Sequence, residues 1–270
     1  MPRSSAKDKA AASWFPGHMA AGMRALDEFA GLIDLVVEVR DARVPAATAV
    51  AGLHPKLRAK PRLIVLNRED LADPRATTAW VRALRAQWPA YATMGTNAAT
   101  LRAVRTAIAS APRRRAVLHV AVVGAPNTGK SSVINGLSRR KRARAQDRPG
   151  VTRHAQWLAL VPGTELLDTP GVLPPKIVDR DAAWQLAACG CLPETAYDPE
   201  AVVERLGAWL KEHGPAHAAA RVSIEEFARA RGMLRKGGEV DRAGAARTLL
   251  VEFRAGTLGR FTFELPREAS

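Results

Sequence analysis

Three apolar runs stand out along the chain, each bounded by polar or turn residues. Leu35-Val36-Val37-Glu38-Val39 ends at Arg40-Asp41, Leu63-Ile64-Val65-Leu66 delivers Asn67, and Val117 to Val123 runs straight into a glycine loop. Their length and β-branched content predict buried strands. Leu158 to Val161 and Glu165 to Leu167 flank Pro162-Gly163 as the arms of a hairpin would. Between the runs the period changes. Trp80, Val81, Leu84 and Trp88 recur at helical spacing, as do Leu101, Val104 and Ile108. Strands alternating with helices predict an α/β domain, with a mostly parallel sheet covered by helices on both faces. In such folds ligands sit at the carboxyl ends of the strands, where Asn67, Gly124 and Asp168 fall.

Beyond about Lys176 the pattern changes and becomes mainly helical. Asp198-Pro199 reads as an N-cap and first helical residue. Val202, Val203, Leu206, Trp209 and Leu210 form one apolar face, which Gly214 closes. Ser223-Ile224-Glu225-Glu226 fits a capping box before Phe227. Leu249, Leu250 and Phe253 mark a further helix ending at Gly256, and Arg260 to Leu265 alternates like a short strand or an extended tail. The expected organisation is a flexible tail over 1–13, an α/β domain over 14–177 and a small all-α domain over 178–270.

Composition adds a charge. With 41 Lys and Arg against 26 Asp and Glu, the net charge is +15, which calls for a polyanionic partner. The basic residues cluster at Arg113-Arg114-Arg115, at Arg139 to Arg142 with Arg144 and Arg148, and at Arg229, Arg231, Arg235, Lys236, Arg242 and Arg247. Nucleic acid fits better than a membrane surface, since no basic amphipathic helix with aromatic anchors is evident. No run of about 18 apolar residues appears, and the N-terminus lacks the apolar stretch of a secretory signal. The two cysteines, Cys189 and Cys191, are too close for a disulfide and too few for a zinc site, and read as core residues of a cytosolic protein.

Gly124-Ala125-Pro126-Asn127-Thr128-Gly129-Lys130-Ser131 directly after an apolar strand is a phosphate-binding loop. Its backbone N–H groups, with those opening the next helix, would surround phosphate from Asn127, Thr128 and Gly129 through Lys130, Ser131 and Ser132. Lys130 would neutralise the terminal phosphates and Ser131 would ligate Mg²⁺. Asp168-Thr169-Pro170-Gly171 places a carboxylate for Mg²⁺ and a Gly171 N–H for the γ-phosphate. Thr152, between these segments, is placed to complete the Mg²⁺ shell in the triphosphate state. Asn67-Arg68-Glu69-Asp70 is a guanine-reading candidate. Asp70 would accept both guanine N–H groups, Asn67 would brace the loop and Arg68 would lie on the purine face. No Asn occurs after Asn135. Either the base reader precedes the phosphate loop, an order inverted from that of ordinary small GTPases, or this protein does not read guanine through an Asn-x-x-Asp element.

Trp14-Phe15-Pro16-Gly17-His18-Met19, Asp41-Ala42-Arg43-Val44-Pro45, Asn67 to Asp70, Gly124 to Ser131, Pro149-Gly150-Val151-Thr152 and Asp168 to Gly171 occur in that order, with Phe253 to Arg260 near the end. In this the chain resembles the circularly permuted GTPases, and among them the ribosome biogenesis GTPase A (YlqF-type) family, over about residues 14–267. The resemblance implies a GTPase that binds GTP or GDP with Mg²⁺, acts as a monomer on the maturing large ribosomal subunit, and uses its helical C-terminal domain to contact rRNA. It places a base-binding loop at Gly95-Thr96-Asn97. It makes His18 a candidate to orient the attacking water, where Val172 stands in place of the glutamine of many GTPases. It makes Asn127 a ligand for K⁺. The catalytic set is then His18, Lys130 and Gly171. Hydrolysis is expected to be slow alone and stimulated by ribosomal particles. A P-loop ATPase or nucleotide kinase acting on a small molecule is the alternative.

Overall fold

The computed structural model describes residue 24 and residues 26–138, 156–169, 179–214 and 221–266. The segment around His18, the basic cluster from Arg139 to Arg148, Thr152, and Gly171 with Val172 lie outside the described residues. So does the expected boundary near 177.

Among the described residues six strands form one sheet in the order β3-β2-β1-β4-β6-β5: β1 (Leu35–Asp41), β2 (Arg62–Asn67), β3 (Ala90–Thr93), β4 (Leu118–Gly124), β5 (Gln156–Val161) and β6 (Thr164–Asp168). All neighbours are parallel except the hairpin β5–β6. Every residue of β1 is buried, as a central parallel strand with both faces covered requires. Of its two acids, Glu38 and Asp41, Glu38 is tolerated because it is fully paired. It accepts from Arg40 at 2.7 Å, Arg62 at 3.2 Å and the Val50 N–H at 3.0 Å.

Helices α1 (Pro55–Arg58), α2 (Pro74–Arg85), α3 (Arg102–Ala109) and α4 (Lys130–Ser138) cover the sheet. Val37, Val39, Val120 and Val122 pack with Val104 and Ile108 of α3 and Val133 and Leu137 of α4. Val36, Ala121 and Val123 point the other way, toward Leu26, Leu53 and Leu57. This is the two-residue alternation of a strand. Asp73 caps α2, accepting from the Ala76 N–H at 2.7 Å, and Pro74 occupies its first turn.

Helices α5 (Arg180–Ala188), α6 (Pro199–His213), α7 (Ile224–Ala230) and α8 (Arg242–Arg254) enclose a second core, capped at Asp179, Asp198, Ser223 and Asp241. Leu206, Leu210, Leu249, Leu250 and Phe253 fill it. Val44, after β1, and Ala125, of the phosphate loop, belong to the same cluster. The helices are thus packed directly on the α/β part. After α8 the chain returns to that part. The Phe261 N–H donates to Leu71 O and the Phe263 N–H to Arg43 O, so 260–265 is an extended strap, not a strand of the sheet.

Among the described residues, three of the six basic side chains singled out in the C-terminal third are neutralised. Arg231 pairs with Glu252, Arg235 with Asp241, and Arg242 with Glu200, Glu204 and Glu225. The basic surface there is correspondingly smaller than the residue types suggest.

Candidate functional site

The site forms at the carboxyl ends of β1, β2, β4 and β6. Gly124 ends β4, and a Cβ on it would lie 2.3 Å from Val39 O, so only glycine lets β4 turn here against β1. Gly129 has φ +86, and an added Cβ would come within 2.1 Å of Asn67 Nδ2. The loop ends in α4, whose first turn carries Lys130, Ser131 and Ser132. Thr128 is buried, its hydroxyl donating to Ala125 O at 2.9 Å.

Lys130 is 7% exposed, and its Nζ donates to Ala125 O at 3.1 Å and Gly124 O at 3.3 Å. Burial pulls its pKa down to about 8, with the Asp168 carboxylate opposing the shift. Asp168 is fully buried at the end of β6, in register with Val122 of β4. Thr169 beside it donates to Val122 O at 2.8 Å. The lysine and the aspartate of the sequence-based assignment thus share one buried site beside the loop. Ser131, on the first turn of α4, and Asp168 are oxygen donors of the kind Mg²⁺ takes.

Asn67 joins the two halves of the site. Its Nδ2 donates to Thr128 O at 2.8 Å, and its Oδ1 accepts the Gly95 N–H at 2.7 Å and the Thr93 hydroxyl at 3.4 Å. The base-reading candidate therefore lies against the phosphate loop although 61 residues separate Asn67 from Thr128. Arg68 adopts φ +63, an uncommon backbone for a non-glycine residue. Its side chain lies 3.8 Å from Asp41. Asp70 is exposed at the mouth of the loop. The segment Gly95-Thr96-Asn97 packs beside Asn67 and α4, with the Asn97 N–H donating to Met94 O and Asn97 Oδ1 accepting from Ala99.

One feature that the sequence did not signal is how the helices grip this site. Asn127, at φ +56, donates from Nδ2 to Gly190 O at 2.8 Å. Arg43 forms a two-point pair with Asp41, at 2.9 and 2.7 Å, and donates to Cys189 O at 3.2 Å. Burial would push the Asp41 carboxyl up, but the Arg43 charge and hydrogen bonds hold it below its ordinary value. Arg254 donates to Ala187 O at 2.8 Å and Ala188 O at 3.0 Å. Arg68, Asn127, Gly190 and Arg254 border a cleft of about 620 Å³ between the two parts. Cys189 and Cys191 are buried and unbridged, as their spacing implied.

The model of the 50S ribosome-binding GTPase family matches residues 119–193. A Thermotoga maritima protein named ribosome biogenesis GTPase A is 35% identical over 256 residues, which span 95% of each chain. Its Bacillus cereus namesake is 33% identical over 279 residues, spanning 94% of each. Two solved structures, GDP-bound TM YlqF and GNP-bound YlqF from T. maritima, each superpose with a TM-score of 0.71 at 32% identity. They cover 91% of this chain, and 100% and 98% of their own. A phosphate loop braced by Asn67 from an earlier strand, and likeness of this extent, place the chain in the ribosome biogenesis GTPase A family of circularly permuted GTPases, with GTP hydrolysis as its activity.

Proposed function

We propose that this GTPase is an assembly factor for the large ribosomal subunit, binding immature particles and their rRNA with GTP bound and leaving after hydrolysis. The observation that carries the reading is the contact of Asn127 and Ala125, both in the phosphate loop, with the C-terminal helices. A change at the phosphates then bears directly on the part of the chain assigned to RNA, residues 178–270. The net charge of +15 supplies the attraction. No helix among the described residues is long and apolar enough to cross a membrane, and a cytosolic monomer is part of the proposal.

In this reading Asp70 reads guanine, with Arg68, Thr96 and Asn97 around the base. Asn127, Thr128, Gly129 and Ser132 present backbone N–H groups to the phosphates. Ser131, Thr152 and Asp168 serve Mg²⁺, which supplies charge neutralisation when bound. Lys130 and Gly171 stabilise the charge that builds on the phosphate oxygens during transfer. His18 orients water, since Val172 offers no hydrogen bond. The Oδ1 of Asn127, in the amide whose nitrogen holds Gly190, is the candidate ligand for K⁺. Such a site turns over slowly alone and faster on the ribosomal particle that completes it.

Cosedimentation with large-subunit particles in a non-hydrolysable GTP analogue and in GDP tests the proposal. Retention with the analogue alone is expected, and equal retention in both refutes it. Equal hydrolysis rates in Na⁺ and K⁺ would remove the potassium role, and unchanged particle-stimulated turnover in His18→Ala would remove the histidine.

A further inference from the structure

The segment Phe253-Arg254-Ala255-Gly256-Thr257-Leu258-Gly259-Arg260 has no part in the chemistry above, yet it ends on the base-reading loop. Arg260 donates from its Nη2 to Glu69 O at 2.6 Å and from Nε to Ala72 O at 3.0 Å. The next residues continue the contact. The Phe261 N–H donates to Leu71 O at 3.1 Å, and the Asp73 N–H donates to the Thr262 hydroxyl at 3.1 Å. Further along, Glu264 O accepts from Trp80 Nε1 at 2.8 Å, and the Glu264 carboxylate accepts the N–H groups of Ala46 and Ala47. Gly256, at φ +82, lies so close to Leu71 that a Cβ would come within 2.7 Å of Leu71 Cδ2.

The loop needs such restraint. Arg68 holds a backbone conformation that costs free energy and persists only where its surroundings enforce it. On the N-terminal side Asn67 is fixed by Thr128 and Gly95, and the Glu69 N–H donates to Thr93 O at 3.1 Å. On the C-terminal side the strap bonds Glu69 O, Leu71 O, Ala72 O and Asp73 N, and within the loop the Ala72 N–H donates to Glu69 O at 3.4 Å. Asp70 lies between these two sets of anchors. The Arg260 charge also offsets the mutual repulsion of Glu69 and Asp70, which together with burial raises the Glu69 pKa.

We infer that Arg260 is a positioning residue for guanine recognition, holding the Glu69–Ala72 backbone so that the Asp70 carboxylate meets the base edge. The inference rests on the reading of Asp70 as the base-recognising group. It makes the end of the C-terminal helical part a determinant of nucleotide specificity in the α/β part, through two carbonyls and no contact with the nucleotide.

The test compares the full chain with Arg260→Ala and Arg260→Lys, measuring affinities for GDP and IDP, with thermal melting alongside. Inosine lacks the 2-amino group, so the GDP-to-IDP ratio reports the carboxylate's hydrogen bond to that group. Loss of two charge-assisted hydrogen bonds is expected to cut the ratio about fivefold or more in Arg260→Ala. A smaller fall is expected in Arg260→Lys, which keeps the charge but reaches one carbonyl. Should Arg260→Ala not fold, Arg260→Lys is read by the same ratio. An unchanged ratio overturns the inference, as does equal weakening of both nucleotides, which marks a merely structural role. Asp70→Asn separates the two layers, since it should shift preference from GDP to XDP. If that shift occurs and the Arg260 variants keep the parental ratio, the positioning role alone falls. If it does not occur, the base-reading assignment falls and the inference with it.

Discussion

Asn67→Ala probes the joint on which the permuted arrangement depends. The Asn67 side chain is buried at 2% exposure and bonds two backbone groups, Thr128 O at 2.8 Å and Gly95 N at 2.7 Å. Truncation strips both at once, and Gly95 is itself buried. Each backbone group left unpaired costs about 1–3 kcal/mol, so the pair should cost about 2–6 kcal/mol. That is a large share of the roughly 5–15 kcal/mol by which domains are stable. Urea unfolding of the nucleotide-free protein measures the loss. Binding of a fluorescent GDP analogue measures the second effect, because Thr128 lies in the phosphate loop and Gly95 begins the base-side segment. Asn67→Asp sharpens the test. It keeps an acceptor for Gly95 but turns an anionic oxygen toward Thr128 O. Burial and that carbonyl both raise the pKa of the introduced carboxylate, so its folded form takes up a proton more readily than its unfolded form. The deficit of Asn67→Asp should therefore shrink as pH falls toward 4. An Asn67→Ala protein within about 0.5 kcal/mol of the parent, with GDP affinity intact, would refute the reasoning.

The other expectations concern charge and backbone. Lys130 has a pKa of about 8 in the folded chain, and phosphate favours its charged form, so GDP affinity should weaken about tenfold from pH 7 to 9; titration calorimetry at both values checks this. The same depressed pKa means that this group's contribution to folding stability rises between about pH 8 and its ordinary value of 10.5. Arg43→Met leaves Asp41 buried without its partner and should cost about 3–5 kcal/mol, measured by urea unfolding, while joint replacement of both residues costs less. The lowered Asp41 pKa gives stability present above 3.8 and lost as pH falls through its folded value, a loss that acid titration of Arg43→Met should no longer show. Gly129→Ala, with a clash at 2.1 Å, should abolish GDP binding, whereas Gly232→Ala, at φ +63 with open space around it, should cost only about 1–2 kcal/mol and bind GDP normally.

The sheet was legible because its central strands are long apolar runs that end on the candidate site residues. Asn67, Gly124 and Asp168 are the last residues of β2, β4 and β6. β3 was not legible. Ala90-Tyr91-Ala92-Thr93 is short and, as an edge strand, half exposed, so tertiary pairing with β2 defines it. α5 was missed for a related reason, since its alanines, Trp184 and Leu186 pack on the second core without a strong periodic face. Within the site, residue types marked the phosphate loop, and the structure lays the Asn67 segment against it. The grip of Asn127, Arg43 and Arg254 on backbone carbonyls carries no sequence signal, because any residue supplies a carbonyl. The ion pairs of Arg231, Arg235 and Arg242 were likewise hidden, as their acids come from other helices or from across a turn.

The seam between sheet and helices combines two kinds of contact with different consequences. Val44 and Ala125 in the helical core provide adhesion, which is non-directional and tolerates sliding. Direction comes from the end of α5, where the last carbonyls of a helix take partners from outside it. Arg254 takes Ala187 O and Ala188 O, Arg43 takes Cys189 O and Asn127 takes Gly190 O. The two cations also oppose the negative end of the helix dipole. Turning α5 by one residue, about 100°, would break these bonds together, so the helix position and the phosphate-loop backbone are coupled. Asn127 is the thinnest link, and its φ of +56 makes it separable. Asn127→Gly loses the bond to Gly190 but relaxes the backbone. Asn127→Ala loses the bond and also incurs the left-handed cost of about 1–2 kcal/mol. Urea unfolding should rank the parent above Asn127→Gly, and Asn127→Ala lowest by about that margin. If Asn127→Ala equals the parent in stability, the bond to Gly190 contributes nothing, and the coupling argued from it fails.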